Sequence, residues 1–347
     1  MYIKKILWAI ALIGLVVAAY FAYYVYSAMF KPNTAFNNEE AYIYVPSNAD
    51  YSVVREQLEP LLIDIDKFEA LAKQKQYTAN VKAGRYVIKK GMNNNDIINS
   101  IRINNIPIQI AFNNQESLEK LAGRIATQIE ADSLSLISAM KDGAFLNANN
   151  FSLATALGMY IPNSYEFFWN TTAEAFRDRM LNEYQRFWND TRKAKAEKLN
   201  MSINDVMTLA SIVYEESKKK DEQPRVAGVY INRLRIGMPL QADPTLKFAA
   251  YQLPEYKNTV IKRVLNKHKE IDSPYNTYKY AGLPPGLITM PDISAIEAVL
   301  NYEKHNYLYF AADAKRVGYH KFAKTLSQHN ANARAYQRYL SSQGIYN

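Results

Sequence analysis

The pattern of hydrophobic and polar positions divides this chain into three parts. An uncharged, apolar run extends from Ile6 to Phe30, and a helix of that length can cross a lipid bilayer. Short strand-like and helix-like segments alternate as far as Asn114, and two helically spaced segments follow from Gln115. The pattern therefore predicts an α+β protein with one N-terminal transmembrane helix, a small α/β domain and a larger mixed α+β domain.

The apolar run is predicted to be an uncleaved membrane anchor. A cleaved signal peptide is the alternative, but its apolar region is normally about 7–15 residues long, and this run is longer and ends among tyrosines. Lys4 and Lys5 precede the run, so the positive-inside rule assigns residues 1–5 to the cytoplasm. Everything after Phe30 is then expected outside the cytoplasmic (inner) membrane, on a single-pass protein.

Residues 31–40 are predicted to be a polar linker, and residues 41–114 the small domain. Strand-like alternation marks Ala41–Val45, Gly84–Lys89 and residues 106–112. Helical spacing marks Tyr51–Leu62 and the isoleucines at 97, 98 and 101. In the larger domain, helical spacing also covers residues 115–130, 132–140 and 173–194, and residues 307–311 are predicted to be a buried strand.

The most informative helix is predicted to begin at Ser202, which forms a capping-box pattern with Asp205. Its apolar positions recur at helical spacing: Val206, Leu209, Ala210 and Val213. Glu216 points along this apolar side, whereas Glu215 projects from the opposite, wet face. Because burial raises the pKa of a carboxyl towards the range of a general acid, Glu216 is the candidate acid. A structural acid at a helix end is the alternative.

Polar residues that follow are expected to gather beside this acid. A second helix should begin near Pro224 and end at Gly237, with Asn232 and Arg233 able to face a cleft. The next segment is predicted to be a loop that supplies an amide, a carboxylate and a hydroxyl: Gln241, Asp243 and Thr245. Asp243 is expected to cap the turn ahead of Pro244, with assistance to catalysis as the alternative.

Four sequence blocks in a fixed order carry a resemblance to a known family. They are Glu216–Ser217, Leu240–Thr245 (LQADPT), Ser273–Tyr278 (SPYNTY) and Gly282–Ile288 (GLPPGLI). In order and spacing they resemble the endolytic murein transglycosylases of the MltG/YceG-like family. The segment KAGRYVIKKGMNNNDIINSI resembles the LysM-like subdomain of that family, and YIPNSYEFF and HKFAKTLSQH resemble two further segments. The resemblance implies a LysM-like subdomain at 41–114 and a catalytic domain at 115–347.

The resemblance also implies an activity, that of a peptidoglycan lytic transglycosylase, which is a lyase. Glu216 would protonate the β-1,4 glycosidic oxygen between N-acetylmuramic acid (MurNAc) and N-acetylglucosamine (GlcNAc). It would then help to remove the proton of the muramyl C6 hydroxyl as that oxygen closes on C1, which leaves a 1,6-anhydroMurNAc end. Such cleavage would terminate the elongation of nascent strands. The expected sugar contacts are Ser217, Gln241, Asp243, Thr245, Tyr275, Asn276, Thr277 and Tyr278.

One departure from the family pattern leaves alternatives open. Many members carry acids on both sides of a lysine in the acid motif, and the first of these positions here is Tyr214. That leaves Glu216, which precedes Ser217, as the match to the motif. Glu215 is shifted by one position and remains a second candidate acid. A muramidase-type hydrolase would give reducing ends instead of anhydro ends. A non-catalytic envelope scaffold would tolerate the loss of Glu216. It is also open whether the LysM-like subdomain binds glycan.

Composition narrows the chemistry and the partners. The 347 residues include no cysteine, which excludes disulfides and thiol catalysis. The net charge of +9 suits an anionic surface, but the basic residues are scattered and no nucleic-acid-binding motif is present, so no nucleic-acid partner is predicted. His320 and His329 lack metal-ligand spacing and are expected to be structural, with no metal or cofactor. Peptidoglycan strands, the membrane, and peptidoglycan synthases or divisome and elongasome proteins are the candidate partners.

Overall fold

The computed structural model describes residues 2–256, 259–261 and 263–344, in two compact units. Met1 of the predicted cytoplasmic segment and residues 257, 258, 262 and 345–347 of the predicted catalytic domain lie outside the described residues. Unit 1 contains the described residues within 1–110, 128–131 and 165–172, and unit 2 contains those within 111–127, 132–164 and 173–347. Helices and short antiparallel strands alternate in both, so the predicted α+β class is confirmed.

Unit 1 begins with the long helix and continues as a small sheet covered by helices. Its elements are α1 (Tyr2–Phe30), β1 (Glu40–Val45), α2 (Tyr51–Leu58), a 3-10 turn (Glu59–Leu61), α3 (Ile65–Gln74), β2 (Gly84–Lys89) and α4 (Asn94–Ile103). β1 and β2 pair antiparallel, with Glu40 opposite Lys89 and Val45 opposite Gly84. The strands and α2 agree with the sequence pattern. The prediction missed α3, although Asp64 caps it and Phe68 lies on its buried side.

Helix α1 is long and apolar enough to span a membrane, with a mean hydropathy of 2.3, as predicted. Its end is fixed to the rest of unit 1. The side-chain amide of Asn94 donates to the carbonyl of Ala28 at 2.8 Å, and Asn33 donates to Asn94 Oδ1 at 2.6 Å. Asn33 Oδ1 in turn accepts from the backbone N–H of Asp64 at 2.8 Å. The segment predicted to be a linker therefore contains a buried asparagine, Asn33, that joins α1 to the domain.

Unit 2 is predominantly helical. In chain order its helices are α5 (Leu118–Ala126), α6 (Ser133–Met140), α7 (Gly143–Ala148), α8 (Ala173–Phe187), α9 (Asp190–Lys198), α10 (Ile203–Glu216), α11 (Gln223–Arg235), α12 (Asp243–Tyr251), α13 (Asn266–Lys269), α14 (Ile293–Leu300) and α15 (Leu326–Ser342), with 3-10 turns at Ala156–Met159 and Pro254–Tyr256. β3 (Pro107–Phe112) pairs with β4 (Asn163–Phe168), and most residues of these two strands belong to unit 1. In unit 2, β5 (Tyr309–Ala312) pairs antiparallel with β6 (His320–Ala323).

Several predicted elements differ from the observed ones. The helix predicted over 173–194 is two helices, because Asn189 accepts a hydrogen bond from the N–H of Arg192 and caps α9. The loop predicted over 240–245 ends early, because Pro244 lies in the first turn of α12, where its missing N–H costs no hydrogen bond. The strand predicted as buried is the half-buried β5. Helix α15 was not predicted, although Thr325 caps it.

Helix α10 lies at the centre of unit 2. Its apolar residues are fully buried, among them Val206, Leu209 and Val213, and it contacts α11, α12 and α14. The predicted capping box is confirmed: Ser202 Oγ accepts from the N–H of Asp205 at 3.1 Å, and Asp205 Oδ2 accepts from the N–H of Ser202 at 2.9 Å. The helix therefore begins at a fixed point in the sequence, which determines where its last residue, Glu216, comes to lie.

Candidate active site

Glu216 lines a pocket of about 340 Å³ that lies entirely within unit 2. The pocket is lined by residues of α10, α11, β5, β6 and α15, of the start of α12 and the segment before it, and of the segment before α14. Its lining residues are Glu216, Tyr230, Arg233, Gln241, Asp243, Tyr278, Tyr309, Phe310, Ala311, Ala312, His320, Leu326 and His329. Carboxylates, aromatic rings, an amide, a guanidinium and imidazoles thus converge on one concave site, the arrangement expected where a polar ligand is bound and transformed.

The carboxyl of Glu216 is only partly accessible, through this pocket, and protein atoms enclose its other sides. Burial raises the pKa of Glu216 to about 7. A hydrogen bond of 2.7 Å from the hydroxyl of Tyr230 to Oε1 acts in the opposite direction, while the charge of Asp243 adds to the rise and His320 and Arg233 oppose it. Near neutral pH, Glu216 is therefore balanced between its proton-donating and its ionised form.

Glu215 lies on the opposite side of α10, as the helical spacing predicted. Its side chain is exposed and accepts a bond of 2.9 Å from the ammonium of Lys218, which also lies over the ring of Tyr214. An exposed ion pair of this kind contributes little to stability. The geometry thus separates the two candidate acids: Glu216 faces the pocket and Glu215 faces solvent.

The predicted role of Asp243 as a turn cap is wrong. Ala242 occupies the N-cap position of α12, and Asp243 Oδ1 instead accepts a bond of 2.7 Å from the hydroxyl of Tyr278 on the pocket wall. Gln241 adopts a left-handed backbone conformation, with φ of +47°, and its N–H donates to the carbonyl of Thr277 at 2.9 Å. These contacts bring Gln241, Asp243 and Tyr278 together in the pocket with Glu216.

Four predicted sugar contacts lie outside the pocket and support it. Thr277 Oγ1 accepts from the N–H of Ala242 at 3.0 Å and lies 2.8 Å from the hydroxyl oxygen of Thr245. The amide of Asn276 donates to the carbonyls of residues 269 and 271, and Ser217 donates to Glu222. Because Ser217, Thr245, Asn276 and Thr277 are buried, with their polar atoms already paired, we assign them to holding the loops and not to binding sugar.

Tyr275 also lies away from Glu216. Its ring packs against Phe248 with the centroids 4.6 Å apart and lines a different pocket, together with Leu287. The GLPPGLI loop, expected to be a wall of the cleft, instead braces α10 from behind: the N–H of Ile288 donates to Ser211 Oγ at 3.2 Å. SPYNTY therefore contributes only Tyr278 to the pocket, and GLPPGLI contributes none of the lining residues.

Several pocket residues could not be identified from the sequence. Tyr230 and Phe310 looked like ordinary core positions, and α15, which supplies His329, was not predicted at all. Arg233, which was expected to face a cleft, does so: it is buried, and its guanidinium donates to the carbonyls of Leu308 and Leu240 at 2.6 and 2.5 Å. Asn232 is held away from the pocket by the carbonyls of residues 305 and 307.

The histidines, expected to be structural, both line the pocket. His320 is bonded to Glu222, and the ring of His329 lies against that of Tyr309 with the centroids 5.5 Å apart. Within the described ranges, the acidic and imidazole side chains form no group of three or more that could hold a metal ion.

Comparison with known proteins relates the chain to one family. A model of the YceG-like family matches residues 43–335. A Bacillus subtilis (strain 168) protein named endolytic murein transglycosylase is 31% identical over 318 residues, which cover 86% of this chain and 85% of that protein. Proteins of the same name from two Streptococcus pneumoniae strains are 28% identical over 293 residues, and this chain matches 52% of their length. The crystal structure of a yceG-like protein from Listeria monocytogenes superposes with a TM-score of 0.56 at 27% identity, covering 85% of this chain and 99% of that one.

Proposed function

The chain belongs to the YceG-like family, and on that premise we propose that it is a membrane-anchored lytic transglycosylase that cuts the glycan strands of peptidoglycan. The shared name of its relatives, endolytic murein transglycosylase, supports the reaction class and the substrate. The single observation that carries the proposal is Glu216, an acid whose pKa is raised to about 7 by burial and which opens into a pocket lined by aromatic and polar side chains.

In the proposed reaction, neutral Glu216 donates its proton to the β-1,4 glycosidic oxygen between MurNAc and GlcNAc as the bond to C1 breaks. The C6 hydroxyl oxygen of the same MurNAc attacks C1, its proton passes to the carboxylate left on Glu216, and the 1,6-anhydroMurNAc end forms. The hydrogen bond from Tyr230 and the nearby charge of Arg233 both favour the carboxylate that remains on Glu216. No water enters the product, so a single acid can begin the reaction with a nucleophile that belongs to the substrate.

The pocket supplies groups suited to holding sugar rings near that acid. Tyr278, Tyr309 and Phe310 offer aromatic faces, against which a pyranose can pack. Gln241 offers an amide for hydroxyl or N-acetyl groups, and Asp243 fixes Tyr278 through its hydroxyl. We assign substrate contacts to these residues, in place of the buried members of the four sequence blocks.

Helix α1 supports action at the membrane surface. Lys4 and Lys5 at its start favour an N-terminus in the cytoplasm, so that unit 2 acts outside the cytoplasmic membrane, where nascent strands are made. Cleavage there would end the elongation of those strands. Peptidoglycan synthases and proteins of the divisome or elongasome are the partners that this location would bring within reach.

The test compares two variants of the full-length chain on purified sacculi, with anhydromuropeptide release scored by mass. Glu216→Gln should abolish release, because the amide has no acidic proton to give to the glycosidic oxygen at neutral pH. Glu215→Gln is the matched control, one residue away on the solvent side, and should retain it. Full release by Glu216→Gln would remove the acid from its proposed role.

A muramidase-type hydrolase is the second candidate, because Asp243 gives the pocket a second carboxylate beside Glu216. Hydrolases normally use two acids, one of which positions water or acts as the nucleophile. Their products carry reducing ends and are heavier by one water than anhydro products. Product mass from the wild-type chain therefore separates the two reactions.

A further inference from the structure

A second acid–base unit adjoins the pocket, built around the buried carboxylate of Glu222. Its Oε1 accepts from the backbone N–H of His320 at 2.7 Å, and its Oε2 accepts from His320 Nδ1 at 2.9 Å and from Ser217 Oγ at 3.0 Å. Burial would raise the pKa of Glu222, but these hydrogen bonds outweigh it and hold the pKa below its ordinary value. Glu222 is therefore an ionised carboxylate inside the protein, with both oxygens committed to named donors.

This arrangement determines what His320 can offer to a ligand. An ionised carboxylate accepts only, so Nδ1 of His320 must carry a hydrogen, and in the neutral ring Nε2 is left with its lone pair. The ring is held further by an edge contact with Phe310, with the centroids 5.1 Å apart and the planes at 71°. Because His320 lines the same pocket as Glu216, Nε2 is the polar atom of this side chain that remains for a bound sugar.

We propose that His320 is a second catalytic residue, the base that takes the proton of the attacking C6 hydroxyl, and that Glu222 is its positioning residue. The inference rests on the proposed function and divides its proton transfers between two groups. Glu216 gives its proton to the leaving glycosidic oxygen as the C1–O bond breaks. The C6 oxygen forms the new bond to C1, and its proton passes to Nε2 of His320. The resulting imidazolium faces the carboxylate of Glu222, and the excess proton returns to Glu216 through solvent before the next turnover.

A separate base, His320 held by Glu222, avoids a geometric difficulty of the reaction that uses Glu216 alone. With Glu216 alone, a single carboxyl must reach both the glycosidic oxygen and the C6 hydroxyl of the same residue in one reaction. With His320 as the base, neither group has to move between the two oxygens. Glu222 stabilises the charge that develops on the imidazole, as a carboxylate does behind other catalytic histidines.

The electrostatic surroundings of His320 are mixed. Its neighbours with titratable or charged side chains, from every element that borders the pocket, are Glu216, Glu222, Tyr230, Arg233, Asp243, Tyr278, Tyr309 and His329. Burial and the charge of Arg233 lower the pKa of His329, which therefore adds no positive charge at neutral pH. The carboxylates of Glu222 and Asp243 thus oppose the charge of Arg233 around His320.

The first variant is His320→Asn in the full-length chain, kept in detergent. Its amide nitrogen can still donate to Glu222 from nearly the position of Nδ1, but it offers nothing in place of Nε2. We expect anhydromuropeptide release to fall by about 100-fold or more, the usual contribution of a general base, while binding of glycan strands changes little. The remaining activity should lose the acidic limb of its pH–rate profile, since that limb reports the base. Release within about threefold of wild type would overturn the proposal.

The second variant is His320→Gly, assayed with added imidazole. Imidazole should restore release, in proportion to its unprotonated fraction, because it occupies the vacated space beside Glu222. Glu216→Gln is the matched control: it fills its own site and should not respond to imidazole. Absence of restoration in a His320→Gly protein with wild-type thermal unfolding would count against the base and in favour of a structural histidine.

The transglycosylase activity and the role of His320 can be refuted separately. Reducing ends from the wild-type chain would refute the transglycosylase itself, and the proposal for His320 with it. Anhydro ends from the wild-type chain, combined with undiminished release by His320→Asn, would refute only the role of the histidine.

Discussion

The hydroxyl of Tyr230 in the middle of α11 donates a hydrogen bond of 2.7 Å to Oε1 of Glu216 at the end of α10. Tyr230 is itself buried, and burial raises its pKa well above the ordinary value, so this hydroxyl keeps its proton. It is therefore a permanent donor that favours the ionised carboxyl, in opposition to the burial that favours the neutral one. The pKa of Glu216 near neutrality is the balance of these two effects.

Removal of that donor should move the alkaline limb of the activity profile upwards. In Tyr230→Phe the carboxylate of Glu216 loses its charge-assisted hydrogen bond, so we expect the pKa of Glu216 to rise by about one pH unit. Release of anhydromuropeptides, measured between pH 5 and about 9, should therefore decline at higher pH than in wild type. An unchanged or acid-shifted limb would show that the bond does not tune the acid.

Removal of a charge on the other side of the pocket should have the opposite effect. The negative charge of Asp243 raises the pKa of Glu216, and Asp243→Asn removes that charge while leaving an oxygen to accept from Tyr278. The alkaline limb should move to lower pH, by a few tenths of a unit to about one unit. If Asp243 also acts on water or substrate, the maximal rate will fall as well, whereas a purely electrostatic role shifts the limb alone.

The raised pKa of Glu216 also makes a prediction for stability. Since its folded pKa of about 7 exceeds the unfolded value of 4.5, the folded state binds more protons between these values and loses stability as pH rises through them. Glu216→Gln should therefore unfold like wild type near pH 4.5 and be more stable by about 1–3 kcal/mol near pH 8. Glu215→Gln, which alters an exposed side chain, should show no such dependence in urea titrations at the two pH values.

The elements that could be predicted are those whose hydrophobic period and caps agree. Helix α10 has an apolar stripe and a capping box, and its predicted start matches the structure. Strand β2 alternates between buried and half-buried positions and was also predicted within its observed bounds. Local sequence determined these elements because tertiary packing reinforced each choice. The apolar stripe of α10 was enough to predict that Glu216 lies on the buried side of the helix and Glu215 on the solvent side.

What the sequence could not predict depends on contacts between distant segments. SPYNTY was expected to bind sugar as a cluster. The side chains of Asn276 and Thr277 instead form hydrogen bonds with the backbone of neighbouring segments, and only Tyr278 of this block lines the pocket. His320 lies about a hundred residues beyond Glu222 in sequence, and their pairing appears only when β6 lies beside the start of α11. Residue type indicates chemistry, but the fold decides which polar atoms remain free.

In the GLPPGLI loop, Gly286 lies directly against the backbone of Ala154. A Cβ at Gly286 would lie 2.2 Å from the carbonyl oxygen of Ala154, which accepts from the N–H of Leu287 at 3.1 Å. Backbone on both sides cannot give way, so Gly286→Ala should cost about 3 kcal/mol or more. It should also lower activity in the protein that remains folded, since the N–H of Ile288 donates to Ser211 on α10.

Gly123→Ala is the matched control: its site in α5 is open, and the higher helix propensity of alanine should stabilise the protein by about 0.5–1 kcal/mol. Urea unfolding of both variants gives the two free energies, and equal effects would contradict the tight backbone contact.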